Sequence, residues 1–410
     1  MMSEDELSVE CAAARPGWAA RGLMAMAARL RVGTLALTDP SGGHALYGEP
    51  GGGPHAELII RDWRAAPAIL RQGDIGFAES LRRGWVDSPD LLALFTLALR
   101  NEAALSQAVA GKWWALLARR LSHLFLRDNT RKGSRRNILS HYDLGNDFYR
   151  LWLDPSMSYS AALFGADRTE SLQAAQHRKI DRLLDALNAR PGQHVLEIGC
   201  GWGGFAERAA QRGLHVHGIT LSDAQLQWAR ARMQTQGLDG RVTLELRDYR
   251  DLGARQYDHI VSVEMVEAVG ERRWPVYFDT LARNLRSGGR VALQSIDIAD
   301  AAFDTYRRGT DFIQQYIFPG GMLPCPRVIR EQTARAGLDI IDEHAFGLDY
   351  ADTLLRWRHA FDAQVQAVRA QGFDDAFIRL WRMYLCYCEA GFREGRTDVR
   401  HWVLEKRTQR

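Results

Sequence analysis

The stretch Val195-Leu196-Glu197-Ile198-Gly199-Cys200-Gly201-Trp202-Gly203-Gly204 decides the fold class. An apolar run of strand type leads straight into a glycine-rich turn, and helical spacing begins after Trp202. Glycine in such a turn lets the backbone approach a ligand closely. A glycine turn also closes chains that bind nothing, so the sharper signals are Glu197 two residues before Gly199 and a Gly199, Gly201, Gly203 spacing that differs from the dinucleotide fingerprint. Outward from this turn, strand patterns at His194–Ile198, His215–Thr220, Val242–Leu246, His259–Val263 and Arg290–Gln294 alternate with helical patterns after Trp202, from Asp223 and over 274–286. Strands alternating with helices imply a parallel sheet covered on both faces, so an α/β doubly wound, Rossmann-like domain is expected.

With 410 residues the chain exceeds what one hydrophobic core usually organises, and two domains are expected. Residues 1–126 form the first, a small α+β accessory domain with a strand at Ala56–Ile60 and helical patterns near 62–71 and 91–100. Residues 127–137 are polar and read as a linker, and 138–410 form the second domain. Within 111–127, Trp113, Trp114, Leu117, Leu121, Leu124 and Phe125 recur at helical spacing beside Lys112, Arg119, Arg120 and Arg127. This amphipathic pattern suits a bilayer surface, and equally the docking of one domain on another.

The formal net charge is +3 despite 53 basic residues, nearly all of them Arg, with Lys only at 112, 132, 179 and 406. That balance gives no reason to expect a nucleic-acid partner. Cys11, Cys200, Cys325, Cys386 and Cys388 are odd in number and lack ligand spacing, which argues against a disulfide framework and a metal centre and for a reducing compartment. The acidic start, and the absence of a run near ~20 apolar residues, lead to the expectation of a cytoplasmic protein without signal peptide or membrane span.

The Glu197, Gly199, Gly201, Gly203 pattern resembles motif I of class I S-adenosylmethionine methyltransferases. In the general fold an acidic residue ends the second strand and holds the ribose, but here that strand ends Gly218-Ile219-Thr220-Leu221-Ser222, leaving Thr220 and Gln225. Further segments occur in order: HYDLGNDFY at 141–149, MSYS at 157–160, DYRDL at 248–252, YIFPGGMLP at 316–324 and YLCYCEAGF at 384–392. Together they resemble the cyclopropane fatty acid synthase family, including the mycolic acid cyclopropane synthases. The resemblance is strong over 131–410 and looser through Gly73–Glu79 and Asp87–Leu91.

The resemblance implies transfer of a methyl or methylene group from S-adenosylmethionine to the double bond of an unsaturated phospholipid acyl chain, at the inner face of a membrane. It implies that Tyr159 and Ser160 touch the cofactor, that Gly199, Cys200 and Gly201 approach its methionine part, that Thr220 and Gln225 hold the ribose side, and that Tyr249 and Arg250 line the adenine pocket. The plainer reading makes Tyr249 a packed aromatic and Arg250 a solvated charge. His141 and Asp143 could order a loop over the cofactor. A homodimer stays open.

Methyl transfer to an alkene leaves a carbocation, from which a base must take a proton. Loss from the added methyl closes a cyclopropane, and loss elsewhere gives a methyl- or methylene-branched chain. The resemblance implies a bicarbonate base held by a Cys, a Glu, a His and a Tyr. Glu267 and Tyr350 match two of these and Ile296 keeps a backbone group in place, but the Cys position is Ala161 and the His position is Gln294, which puts bicarbonate in question. Glu267, or Glu264 one helical turn earlier, is therefore expected to act as the base directly, its pKa raised by an apolar acyl tunnel. The plainer reading of Glu264 is a surface helix charge. Cys388 aligns with a cysteine near the family's site, and Trp381, Tyr384, Tyr387 and Phe392 form either core or an aromatic wall beside a cation. The competing functions are an N-methyltransferase of a small amine and a non-catalytic lipid- or S-adenosylmethionine-binding protein.

Overall fold

The computed structural model describes residues 17–109 and 144–407. The amphipathic pattern at 111–127, the linker expected at 127–137, Cys11, His141 and Asp143 lie outside them. The chain divides into two compact units, Met1–Gly111 and Lys112–Arg410.

The first unit contains α1 (Trp18–Ala27), β1 (Gly33–Thr38), β2 (His44–Glu49), β3 (His55–Ile60), α2 (Ala65–Gln72), α3 (Asp74–Arg82), β4 (Val86–Asp87), α4 (Leu91–Arg100) and α5 (Glu102–Val109). Its sheet has the order β2-β1-β3-β4, with β1 antiparallel to β2 and parallel to β3. The expected strand at 56–60 and both helices are present. The β1–β2 hairpin is an addition, and β2 buries neither face fully, so it carries little apolar alternation to be read. Buried Asn101 accepts from the Arg31 and Val32 amides and donates to the Val32 and Leu97 carbonyls, joining α4 to the start of β1.

The second unit contains α6 (Asn146–Arg150), α7 (Leu172–Leu187), β5 (His194–Ile198), α8 (Gly204–Gln211), β6 (His215–Thr220), α9 (Asp223–Thr235), β7 (Val242–Leu246), β8 (Tyr257–Val263), α10 (Val266–Val269), α11 (Trp274–Asn284), β9 (Leu285–Ile298), α12 (Asp300–Tyr306), α13 (Pro326–Arg335), β10 (Leu338–Ala345), α14 (Gly347–Ala363), α15 (Val365–Ala370), α16 (Asp375–Arg393) and β11 (Thr397–Lys406). The seven strands are ordered β10-β11-β9-β8-β5-β6-β7. Those from β9 to β7 run parallel, and β11 lies antiparallel between β9 and β10. Successive residues of β5 serve opposite cores: Val195 packs with Val216, Val242, Val261 and Ala292, while Leu196 and Ile198 pack with Ile219, Ile260, Val291 and Leu293. Burial on both faces explains why these strands appear as short apolar runs.

Three boundaries differ from expectation. Strand β8 begins at Tyr257 rather than His259, the helix expected over 274–286 ends at Asn284, and β9 spans Leu285–Ile298 rather than Arg290–Gln294. The last is longer because β11 pairs along its second edge as far as Thr397 opposite Ile298. No helix of the described residues is long and apolar enough to cross a membrane.

Candidate active site

Doubly wound sheets bind ligands beyond the carboxyl ends of their parallel strands, and here the candidate residues gather at that edge. Gly199, Gly201 and Gly203 follow β5 with φ of 85°, 51° and 85°. A Cβ on Gly199 would lie 2.5 Å from Met265 Cγ and Sδ, whereas one on Gly201 would meet nothing within 4 Å. The first glycine thus admits a neighbouring side chain and the second leaves open space beside the backbone, as a ligand held against the turn requires. Gly199→Ala combines a left-handed backbone with this collision and is expected to cost ~2 kcal/mol or more, read as a fall in thermal midpoint. Gly201→Ala meets the backbone cost alone and is expected to lose less.

At the end of β6, the Thr220 hydroxyl donates to Gln225 Oε1 at 3.1 Å, and Ser222 caps α9 by accepting from the Gln225 amide. Thr220 and Gln225 are therefore brought together and buried. Beyond β7, Asp248 accepts from the Arg250 amide and its Nε, and the Arg250 guanidinium lies 5.6 Å from the Tyr249 ring centroid. Tyr249 in turn meets Tyr277 edge to face at 5.5 Å. Cys200 is buried, and burial beside Glu197 pushes its thiol pKa up, which keeps it neutral.

The segment 159–161 meets the end of β8 and the neighbouring β9 through Ala161, whose amide donates to Glu264 and whose carbonyl lies 3.4 Å from Gln294 Nε2. The Tyr159 and Tyr384 hydroxyls are 2.8 Å apart, and Tyr159 packs against Trp152 and Trp357. Trp381 meets Tyr384 at 5.2 Å, Phe392 lies on Tyr350 at 4.5 Å, and Tyr387 faces Phe312. The aromatic set from α16 thus divides into a wall beside Tyr159, a support for Tyr350 and an outlying ring.

Glu264 is not a surface helix charge. It follows β8 and precedes α10, has φ 50°, and points its partly buried carboxylate into a set of donors. Oε1 accepts from the Ala161 amide at 2.8 Å and from Gln294 Nε2 at 2.7 Å, while Oε2 accepts from the Tyr350 hydroxyl at 2.8 Å. Glu267, on α10, accepts from the Ile296 amide through Oε1, and its buried Oε2 has no hydrogen-bond partner among the described residues. Burial raises both carboxyl pKa values, but the causes differ. Ala161, Lys179, Gln294 and Tyr350 hold Glu264 back, whereas Glu264 itself pushes Glu267 further up. Of these two adjacent carboxyls, Glu267 is thus pushed up further and Glu264 is the one whose charged form its neighbours favour. Burial also raises Cys388 and Tyr350, so Cys388 stays a thiol beside the site.

Lys179 was not among the residues expected here. It is 2% exposed, and its Nζ donates to Ser160 Oγ at 2.7 Å, with Glu264, Asp154 and Glu197 as the surrounding carboxyls. A signal was present: it is one of four lysines in a chain whose basic residues are otherwise Arg. Trp202, whose Nε1 donates to Asn146 Oδ1 at 2.8 Å, ties α6 to the glycine turn and was likewise unread.

Comparison with known proteins adds to this geometry. A family model described as mycolic acid cyclopropane synthetase matches residues 129–402. Tuberculostearic acid methyltransferase UfaA1 of Mycobacterium tuberculosis is 42% identical over 363 residues, 85% of this chain and 82% of its own length. Cyclopropane-fatty-acyl-phospholipid synthase of Escherichia coli K12 is 34% identical over 356 residues, 86% of this chain and 88% of its own. Among solved structures, mycolic acid cyclopropane synthase CmaA1 complexed with SAH and CTAB matches with a TM-score of 0.62 and 31% identity, over 66% of this chain and 98% of that one.

Proposed function

Since the chain belongs to the mycolic acid cyclopropane synthetase family of S-adenosylmethionine-dependent methyltransferases acting on unsaturated lipids, we propose that it methylates a double-bond carbon of a phospholipid acyl chain, that Glu264 is the base, and that the product is branched rather than cyclic. The observation that carries this reading is the Glu264 carboxylate bound by Ala161, Gln294 and Tyr350. Ala161 and Gln294 stand at two positions that the resemblance gives to a bicarbonate ion, and Tyr350 at a third. Their donors are satisfied by a side chain of this protein, so the residues do not fit a separate anion.

S-adenosylmethionine brings an electrophilic methyl group on its sulfonium. The alkene π pair forms the new carbon–carbon bond, and the neighbouring alkene carbon becomes cationic. Rings of Tyr159, Trp357, Trp381 and Tyr384 favour such a cation through their faces. Glu264 then takes one proton. Removal from the chain carbon beside the cation leaves a methyl-branched alkene, and removal from the added methyl closes the ring. That the 42% identical relative is named a methyltransferase and not a cyclopropane synthase supports the branched outcome. The basic amphipathic pattern of 111–127 supports a bilayer-borne substrate.

The test is lipid mass spectrometry after incubating the purified protein with S-adenosylmethionine and vesicles of unsaturated phosphatidylglycerol, with and without bicarbonate. A gain of one CH₂ per modified chain, fragmentation showing a branch, and a rate unchanged by carbonate removal are expected. Ring product alone overturns the branched assignment, and a rate that collapses without bicarbonate overturns Glu264 as the base.

A further inference from the structure

We propose that His401 is a positioning residue that locks the Gln294 side-chain amide in the one orientation that donates to Glu264. The inference rests on Glu264 being the base. His401 on β11 lies directly opposite Gln294 on β9 in the antiparallel register, and both side chains are buried. His401 Nε2 is 2.8 Å from Gln294 Oε1, and Gln294 Nε2 is 2.7 Å from Glu264 Oε1 and 3.4 Å from the Ala161 carbonyl.

The direction of each bond follows from what the atoms can do. A carboxylate only accepts, so Gln294 turns its NH₂ toward Glu264 and its oxygen toward His401. That oxygen has no hydrogen, so His401 must donate from Nε2. His401 is then the neutral Nε2–H tautomer with a bare Nδ1, and Nδ1 is the buried ring atom without a hydrogen-bond partner among the described residues. Burial, with Arg182, Lys179 and His344 nearby, lowers the His401 pKa well below its ordinary value and keeps the ring neutral. Were the amide to flip, Gln294 Oε1 would face the Glu264 carboxylate, and its NH₂ would face the His401 N–H. Both contacts are repulsive, and moving the ring proton to Nδ1 to relieve the second would bury an N–H with no acceptor among the described residues, so the ring holds the amide in place from 107 residues away.

The charged and titratable groups facing Glu264 are Lys179 from α7, Glu267 from α10 and Tyr350 from α14. None of them contacts the far side of Gln294, so they cannot replace the lock. Without it, Glu264 loses a charge-assisted donor for part of the time, and its proton affinity rises.

The experiment combines His401→Leu, which removes the donor, with His401→Gln, which offers an amide N–H in its place. In the pH–rate profile of vesicle methylation, His401→Leu is expected to move the acid limb upward by about one pH unit, tenfold less ionised base on that limb. His401→Gln is expected to return the limb toward wild type, and S-adenosylhomocysteine affinity is expected to stay the same in both. Independently of turnover, ¹⁵N-histidine NMR of the wild-type protein is expected to show a neutral Nε2–H ring that disappears in either variant. An unmoved limb in folded His401→Leu, or an Nδ1–H ring in the spectrum, overturns the proposal. Wild-type protein that modifies no lipid overturns the proposed function instead, and the spectrum still decides the tautomer.

Discussion

Glu264→Gln is expected to lower the rate of lipid methylation by about 10²–10⁴-fold, the usual contribution of a positioned base, with S-adenosylhomocysteine binding retained. The amide fills the same volume, so packing against Ala161, Gln294 and Tyr350 survives while proton acceptance does not. Glu267→Gln is the informative companion. Glu267 is the carboxyl driven far up by burial and by Glu264, and in its protonated form it already resembles an amide. Its loss is expected to cost less than tenfold. Rates measured by mass spectrometry under saturating donor, beside calorimetric titration of S-adenosylhomocysteine, separate chemistry from binding. The reverse ranking would transfer the base to Glu267.

Lys179→Met is expected to produce the largest loss of stability, about 3–5 kcal/mol, because it strips the cation from a group of buried carboxyls. For a unit of this size that corresponds to roughly 2–4 °C of thermal midpoint per kcal/mol. Adding Glu197→Gln is expected to recover part of it near and above pH 8, where Glu197 would otherwise ionise in a buried place with one oxygen unpartnered among the described residues. The pH dependence has a definite sign. Burial raises the Glu197 pKa to about 8, so its contribution is fully present below the unfolded value and fades as pH rises to about 8. Burial lowers the Lys179 pKa to about 8, so the folded state sheds that proton first and stability rises from there toward 10.5. Denaturant unfolding of Glu197→Gln across pH 5–8 is expected to show a smaller decline than that of the wild type, to which the raised Glu264 and Glu267 also contribute.

Strands β5 and β6 were legible to the residue because two-sided burial leaves a short, mainly apolar run, and β7 because Val242 and Leu244 are buried while Thr243 and Leu246 are exposed, a pattern of alternation. Strand β11 was not, because its sequence, Thr-Asp-Val-Arg-His-Trp-Val-Leu-Glu-Lys, mixes charge with apolar residues and gains its place from edge pairing with β9 and β10. At the site, the sequence flagged Ala161 and Gln294 as departures from an anion-binding set and named Glu264 among the replacements. It ranked Glu264 below Glu267 by carrying the helical period of α10 one turn backward. Glu264 lies before that helix begins, and a reversed backbone, not helical phase, aims its carboxylate. Glutamate carries no local preference for such a conformation, so nothing in the composition marks it. His401 was invisible for a different reason: only strand pairing joins it to Gln294.

The positive φ of Glu264 has an implication for anyone improving this protein. Glycine occupies that conformation freely, whereas a side-chain-bearing residue holds it at a cost on the order of 1 kcal/mol. Glycine at position 264 would relieve that cost but leave the Ala161, Gln294 and Tyr350 donors without their acceptor, a larger loss, so the bonds that aim the carboxylate are also what hold the chain in this conformation. Directed evolution for heat tolerance should hold that codon fixed and seek its gains elsewhere.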